Sequence, residues 1–437
     1  MLRRHFMGGT LGLGAASALG LGLEGCGGGS NTEWLVGAYL SLSGEEAAFG
    51  QDTQKGIDLA VEEINKAPPK GKKMKVLYED DEGKPDKANS KVLQLIDRDK
   101  VVALLGEVAS SLSIPAGITA TNKKIPMITP SSTNPKVTEV DFAFRVCFTD
   151  DFQGQVGADF IVKTLGKKNV AVMVTQDDVY SSGLAEEFKK ALEKLGGKVV
   201  IEKGFPKTET KFATYLQAVK DANPDVIYAP IYYSDMIPIA QEAKQMGISG
   251  EMFVGCDGWS NEELYKVLEG AYFTDHYASN MPWEPAKKFA EAYKAKYKGA
   301  IPVSLAACGY DATLVLADAI KRAKADTPQG IRDAIAETKD FEGATGKITI
   351  NGKRNAEKPI VVAQIKGGIS VFKDALGPGA EAMLGGKKTE TPPAPSVSAT
   401  AQSTPSASAA PSASAAPSAS TSASAAPATS ASAAPKK

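Results

Sequence analysis

The chain has 437 residues, with 50 Lys or Arg against 51 Asp or Glu, so its formal net charge at pH 7 is −1. Nucleic-acid binding needs a basic face, and this charge balance argues against such a partner. His5 and His276 are the only histidines, too few for a multi-histidine metal site and poor material for a His-based triad. Cys-x-x-Cys pairs and phosphate-cradling Gly-x-x-x-x-Gly-Lys-Ser/Thr runs are also missing. We therefore expect no cofactor, no metal and no enzyme.

The first 25 residues are typical of an export signal. Two arginines precede an apolar run at 6–23 that is too short and too glycine-rich for a membrane span. The sequence LEGC at 23–26 resembles a bacterial lipobox, although Glu24 is unusual there, and it predicts lipidation of Cys26. Residues 26–32 would be a flexible leader. The alternatives are an ordinary signal peptide that leaves a free thiol, and twin-arginine export.

The C-terminal segment, 389–437, consists almost entirely of Ala, Ser, Pro and Thr. Without apolar bulk it cannot form a core, and we expect a disordered, fairly extended tail. The remaining core, roughly 32–388, is long enough for two domains. Its three cysteines cannot make a full disulfide framework, so packing must hold the core together.

The first part of the core alternates β-rich apolar runs with amphipathic helical stretches, which is the pattern of parallel βαβ units. Strands are predicted at 34–40, 74–78, 101–106 and 126–129, and helices at 50–65, 86–97 and 110–123. In the first helix, for example, Ile57, Ala60, Val61 and Ile64 share one face.

The same alternation restarts after Asp150. Helices are predicted at 152–165, 183–195, 211–222 and 236–246, and strands at 170–175, 198–204, 226–230 and 252–255. Two successive doubly wound units are therefore predicted. Such sheets bind ligands outside the carboxyl ends of their strands, so two facing sheets create a cleft.

A third segment returns to both units. Helices are predicted at 283–297, 304–322 and 328–338, and late strands at 347–350 and 360–365. Because this segment has no sheet of its own, we assign 33–149 plus 279–350 to lobe 1 and 150–278 plus 351–375 to lobe 2. Several crossovers between lobes make a hinge.

Short motifs along the core, in their order and spacing, resemble the branched-chain amino acid binding proteins of ABC transporters. They are LSLSG at 40–44 with FG at 49–50, AVEEIN at 60–65, GEVASS at 106–111 with PA at 115–116, and PMITPSSTNP at 126–135. The resemblance covers nearly all of residues 33–375. It implies the type I periplasmic binding fold, α/β, with two doubly wound parallel-sheet lobes joined by a multi-crossover hinge.

The resemblance also implies a function. Such a protein is the extracytoplasmic solute-binding component of an ABC importer, a monomer that delivers an amino acid, aliphatic or branched-chain, to a membrane permease. The alternative is a receptor of the same fold that senses amides, urea-like compounds or aromatic acids.

An amino acid zwitterion needs hydrogen-bond donors for its carboxylate. Ser110 follows a predicted strand where a helix begins, so its hydroxyl and the free N–H groups form an anion site. By resemblance, Ser131 would offer its backbone carbonyl to the ligand's ammonium, and Thr133 its hydroxyl and N–H to the carboxylate. On the residues alone, Ser110 is also an ordinary N-cap and Ser-Ser-Thr an ordinary turn.

The ammonium group needs a counter-charge, and Asp257 in FVGCDGW at 253–259 matches the family's acidic residue. Taken alone, an Asp beside a Gly is usually a turn residue. The aromatic residues that match family positions around the ligand are Phe49, Tyr180, Tyr232 and Tyr310. For Phe49 and Tyr310, core packing is the alternative.

The sequence departs from the family at two places. Ala109 stands where many Gram-negative members carry a cysteine, so a local disulfide is missing. Asp257 is shorter than the Glu of the best-known members, which puts the preference for leucine, isoleucine or valine in doubt. Because Asp257 is still acidic, an ammonium-bearing ligand remains favoured over amides or aromatic acids. Cys256 and Cys308 are expected to be free, buried thiols.

Overall fold

The structure, a computed structural model, describes residues 32–385. The predicted signal peptide, Cys26 and the tail at 389–437 lie outside these residues, as does the leader apart from Thr32.

The first lobe contains a five-stranded sheet in the order β2-β1-β3-β4-β5, with every pairing parallel. Its strands are β1 (Glu33–Leu40), β2 (Lys73–Asp80), β3 (Ala103–Leu105), β4 (Met127–Thr129) and β5 (Ala143–Arg145). The helices between them are α1 (Ala47–Ile64), α2 (Pro85–Leu93) and α3 (Ser110–Lys123). The central strands β3 and β4 are buried at every residue, which explains their continuous apolar runs.

The second lobe contains a seven-stranded sheet in the order β15-β14-β10-β9-β8-β6-β7. Its strands are β6 (Asn169–Thr175), β7 (Lys198–Phe205), β8 (Val226–Tyr228), β9 (Phe253–Gly255), β10 (Tyr272–Asp275), β14 (Ile360–Lys366) and β15 (Ile369–Leu376). Its helices are α4 (Asp150–Asp159), α5 (Val179–Lys194), α6 (Ala213–Asp221), α7 (Tyr233–Gln245) and α8 (Glu262–Val267). The parallel part repeats the strand order of the first lobe.

The predicted α/β fold with two doubly wound sheets is confirmed, with two differences. The returning segment has a small sheet of its own, described below, although none was expected there. The second difference is a hairpin. Strands β14 and β15 pair antiparallel at one edge of the second sheet. They come from the end of the chain and form a hairpin, which requires antiparallel pairing.

The returning segment consists of α9 (Glu284–Lys296), α10 (Ser304–Arg322), α11 (Pro328–Ala336) and a small antiparallel sheet of β11 (Phe341–Gly343), β12 (Gly346–Ile350) and β13 (Ala356–Glu357). A short helix, α12 (Ala380–Met383), follows β15. The chain passes between lobes three times, after β5, after β10 and after β13. The predicted lobe boundaries stay a prediction.

Helices α1 and α10 pack backbone against backbone in the first lobe. A Cβ atom on Gly56 would lie 1.9 Å from the Ala306 carbonyl oxygen, and one on Gly309 would lie 2.5 Å from the Thr53 carbonyl oxygen. Only glycine permits this approach. This close contact holds the N-terminal part of α10 against α1. The first turn of α10 faces the second lobe.

Within residues 32–385, no helix combines the length and the apolar character that a bilayer span requires.

Candidate functional site

A small cavity lies between the two lobes, outside the carboxyl ends of their strands. Its lining residues are Phe49, Val108, Ser110, Ser131 and Leu305 from the first lobe and Tyr180, Tyr232, Asp257 and Gly258 from the second. Its volume is about 10 Å³, which is close to the space of one water molecule. Six of the eight predicted ligand-binding residues therefore share one void.

The first lobe presents a helix N-terminus to this cavity. Ser110 is the first residue of α3, directly after the loop that follows β3, and its hydroxyl accepts a hydrogen bond of 3.2 Å from the Asn134 N–H. The N–H groups of a first helical turn have no partner within the helix, and the helix dipole favours negative charge there. This wall of the cavity can bind an anion.

The loop after β4 forms the adjoining wall. Thr129 shapes it, because its hydroxyl donates to the Glu107 carbonyl over 2.6 Å and accepts from the Ser132 N–H over 2.9 Å. The Ser131 hydroxyl is buried and has no hydrogen-bond partner within residues 32–385. A buried hydroxyl without a partner is costly, so a ligand atom could satisfy it.

Thr133 is buried just behind the cavity and does not line it. Its carbonyl accepts a hydrogen bond of 3.1 Å from the Asp150 N–H. Burial raises the pKa of Asp150 well above its usual value, and the nearby Thr133 hydroxyl opposes this shift. Thr133 thus joins the loop after β4 to the start of α4.

Asp257 is the acidic group of the second lobe, two residues beyond the end of β9, and is 5% exposed. Its Oδ1 accepts hydrogen bonds from Gln153 Nε2 at 2.8 Å and from Tyr180 Oη at 2.6 Å. Burial, and then the nearby Asp257 carboxylate, raises the pKa of Tyr180, so this phenol keeps its proton and donates.

The other oxygen of this carboxylate, Oδ2, lies 3.3 Å from His276 Nε2. Burial lowers the pKa of His276 to about 4, against the opposing effect of its hydrogen bond to Asp257. The imidazole is therefore neutral at pH 7. Within residues 32–385, Asp257 has no Lys or Arg at salt-bridge distance, so its carboxylate can accept a cationic ligand group.

Three aromatic rings, those of Phe49, Tyr180 and Tyr232, line the cavity. Tyr180 and Tyr232 stack with centroids 4.9 Å apart and an interplanar angle of 4°. Phe49 meets the Tyr232 ring edge-on, with centroids 5.5 Å apart. Together with Leu305 they offer an apolar enclosure of the kind that small-molecule sites use.

Tyr310 is not in this cavity, contrary to the sequence-based expectation. Its hydroxyl donates to Glu63 Oε2 over 2.6 Å, and its ring lies 5.0 Å from that of Phe289. Tyr310 lies well inside α10, which is packed along α1, so its ring is held among helices. Leu305, in the first turn of α10, is the residue of this helix that reaches the cavity.

The sequence reasoning missed Gln153 and His276, which contact the Asp257 carboxylate directly. His276 follows β10, and β10 pairs with β9 in parallel, with Phe273 opposite Gly255. Strand β10 was not predicted. Recognising it would have placed His276 at the same sheet edge as Asp257. For Gln153, within α4, no sequence signal was available.

The three cysteines within residues 32–385 have no covalent partner there. Cys256 and Cys308 are free and buried, which confirms the expectation for both, and Cys147 is free and buried as well. Burial raises the pKa of Cys256 and of Cys308 well above the ordinary value, so both are inert thiols at neutral pH.

Two lobes of like topology enclose a cavity between a helix N-terminus on one lobe and a carboxylate on the other, which is the architecture of a two-lobed solute-binding protein. The periplasmic binding protein family matches residues 33–369, and the chain belongs to this family. The predicted family and fold are thereby confirmed.

Solved structures and a curated relative support this assignment. The leucine-binding protein LivK of Thermotoga maritima is 36% identical, with a TM-score of 0.75 over 79% of this chain and 99% of its own. The branched-chain amino acid binding protein LivJ of Streptococcus pneumoniae, solved with isoleucine, is 31% identical, with a TM-score of 0.73 over 78% and 98%. An amino acid binding protein of Pseudomonas aeruginosa is 32% identical over 62% of this chain and 72% of its own.

Proposed function

We propose that the protein is the solute-binding component of an ABC importer and binds an aliphatic, branched-chain amino acid between its lobes. The observation that carries the proposal is the pairing across one cavity of a helix N-terminus at Ser110 with the Asp257 carboxylate. The carboxylate of a zwitterion can bind the helix N-terminus while its ammonium group binds the Asp257 carboxylate. Relatives that bind leucine or isoleucine support the choice of ligand.

The ligand has a defined orientation in this proposal. Its carboxylate accepts hydrogen bonds from the first turn of α3 and from Ser110, and Thr133 supports this wall. Its ammonium group donates to Asp257 and to the Ser131 carbonyl oxygen. Charge-assisted hydrogen bonds of this kind are roughly twice as strong as neutral ones. The side chain then lies against Phe49 and Leu305.

The lobes must separate to admit such a ligand, because a cavity of about 10 Å³ is far smaller than a leucine molecule. Contacts across the cleft hold them together. The Tyr233 hydroxyl donates to the Glu45 carbonyl over 3.0 Å, and Asn134 Nδ2 donates to the Val179 carbonyl over 3.1 Å. A ligand that contacts both lobes favours the closed population by its differential affinity for that state.

The family places the protein outside the cytoplasm, and we propose that lipidated Cys26 holds it at the membrane near its permease as a monomer. No reaction is part of this function. The buried Asp257 and neutral His276 bind and position charge, and they form no nucleophile–base pair of the kind that covalent catalysis requires.

Calorimetry with the twenty amino acids on the full chain tests the proposal. We expect leucine, isoleucine or valine to bind most tightly. We also expect 4-methylpentanoate, which lacks the ammonium, and leucinamide, which lacks the carboxylate, to bind at least tenfold more weakly than leucine.

Acetamide, urea and benzoate serve as the competing ligand classes in the same series. If the protein bound any of these three compounds and bound no amino acid, the transport proposal would be overturned and the sensing receptor would be favoured.

A further inference from the structure

A second and larger cavity lies beside the crossover that follows β10. Its volume is about 260 Å³, near the lower end of small-molecule sites. Residues that line it include Tyr265 from α8, Tyr277 from the crossover, Ile301 from the loop before α10, Ser304 from the start of α10, and Ser370 from the β14–β15 hairpin. It shares no lining residue with the cavity that contains Asp257.

Four residues that line this cavity have a hydroxyl without a hydrogen-bond partner within residues 32–385. They are Tyr265, Tyr277, Ser304 and Ser370, and the side-chain oxygen of each is buried. Tyr277 is 1% exposed and Ser370 is 9% exposed. Native structures pair nearly all such groups, so four unpartnered hydroxyls around one cavity indicate a ligand that supplies hydrogen bonds once these side chains turn towards it.

The remaining walls define the chemistry of that ligand. Ile301, Pro302, Val303 and Ile369 provide apolar surface. The charged side chains that line the cavity, Glu262 and Lys266, are exposed at its rim, and Lys266 is already paired with Glu263 at 2.6 Å. Hydroxyls and apolar groups without a buried charge favour a neutral molecule.

We propose that this cavity, termed the crossover pocket, is a second small-molecule site for a neutral, hydroxyl-bearing ligand with an apolar body. The site goes beyond the proposed transport function. Two of its lining residues are sequence neighbours of residues at the amino acid cleft, because Tyr277 follows His276 and Ser304 precedes Leu305. A test must therefore distinguish the two cavities.

The probe is benzyl alcohol, titrated into the full chain saturated with leucine and followed by NMR of labelled isoleucine methyl groups. We expect a saturable shift of the Ile301 methyl signal with a Kd on the order of 1 mM, as suits a ligand with eight non-hydrogen atoms. Benzoate and benzylamine, which carry a charge, should bind at least tenfold more weakly. An absent or unsaturable shift would overturn the proposal.

Variants locate the binding. Ile301→Trp fills the pocket from an exposed position, Ile301 being 38% exposed, and should weaken benzyl alcohol at least tenfold. Tyr277→Phe removes one hydroxyl and should weaken it two- to tenfold. The matched control is Ile118→Trp on α3, where Ile118 is 48% exposed and lines neither cavity, so binding should be unchanged. Equal affinity in Ile301→Trp and the wild type would contradict the site.

The titration is repeated without amino acid on Asp257→Asn, which separates this proposal from the transport function. If the chain bound no leucine but still bound benzyl alcohol through Ile301, only the transport proposal would fail. Displacement of benzyl alcohol by leucine would place the probe in the cleft and overturn the crossover pocket.

Discussion

Asp257 carries the recognition of the ligand's positive charge in the proposed function. Its carboxylate is buried, receives neutral hydrogen bonds from Gln153 and Tyr180, and lies beside a neutral His276. These partners orient the carboxylate without neutralising it. The unbalanced charge makes the site selective for a cation at this end of the cavity.

Asp257→Asn removes the charge and keeps an oxygen that accepts from Gln153 and Tyr180. We expect leucine binding to weaken by about 2–5 kcal/mol, since a buried charge partner is lost. Binding of 4-methylpentanoate should be unchanged or tighter, because this ligand has no ammonium group to balance the Asp257 carboxylate. Calorimetry with both ligands measures this. The matched control is Asp221→Asn, an exposed residue at the end of α6. An equal loss for both ligands would mean that the substitution disturbs the cavity and not the ammonium site.

His276 makes folding stability depend on pH. Its pKa is about 4 in the folded state and about 6.5 when unfolded. Between these values the unfolded chain binds a proton that the folded chain does not, so this contribution to stability is lost as pH falls from 6.5 to 4. His276→Gln should reduce that loss by about 3 kcal/mol, from the pKa difference. Urea unfolding across this pH range tests it; parallel pH profiles would contradict a buried neutral imidazole.

At the residue scale, position along a strand was enough to predict which residues the fold brings to one cavity. Ser110, Ser131 and Asp257 follow strands, and the carboxyl ends of parallel strands meet at one edge of a sheet, where these three residues line the cavity. Their roles in binding stay a prediction. Tyr310 lies outside the cavity because the direction of an aromatic side chain within a helix depends on tertiary packing. His276 was missed together with its strand.

The elements differ in how clearly the sequence defines them. Two of the long helices were predicted best: α3 and α10 have the predicted bounds. Strands β5 and β10 have three and four residues and were missed, because such short runs show neither alternation nor an extended apolar stretch. In the structure, β5 pairs with β4, and β10 pairs with β9 and β14.

The contact between α1 and α10 positions the first turn that reaches the cavity. Gly56→Ala in a helix interior would ordinarily stabilise the protein by about 1 kcal/mol. Here the new methyl group meets the Ala306 carbonyl, so we expect destabilisation by about 1–3 kcal/mol in urea unfolding. Gly352→Ala, with no atom within 4 Å of the added Cβ, is the control. Stabilisation by Gly56→Ala would contradict the observed packing.

On the scale of the whole molecule, closure depends on contacts between the lobes. Lys207, after β7, pairs with Glu46, before α1, at 2.7 Å, and Glu46 is 4% exposed. Burial raises the pKa of Glu46, while Lys207 opposes that shift. The ion pair therefore belongs to the closed arrangement, and its loss leaves a poorly solvated carboxyl group.

Lys207→Met should shift the lobes towards an open population. We expect a larger radius of gyration by X-ray scattering without amino acid, and about tenfold weaker leucine binding, because closure must then occur without this pair. Lys190→Met breaks an exposed pair with Glu187 and should change neither quantity. Unchanged scattering and affinity in Lys207→Met would show that the pair does not contribute to closure.

A crystal structure of the protein with bound leucine tests most directly whether the two lobes recognise one zwitterion. We expect the ligand carboxylate to accept hydrogen bonds from Ser110 and the first turn of α3, and its ammonium group to lie on Asp257. Leucine bound in the opposite orientation, or bound away from Asp257, would contradict the proposed site.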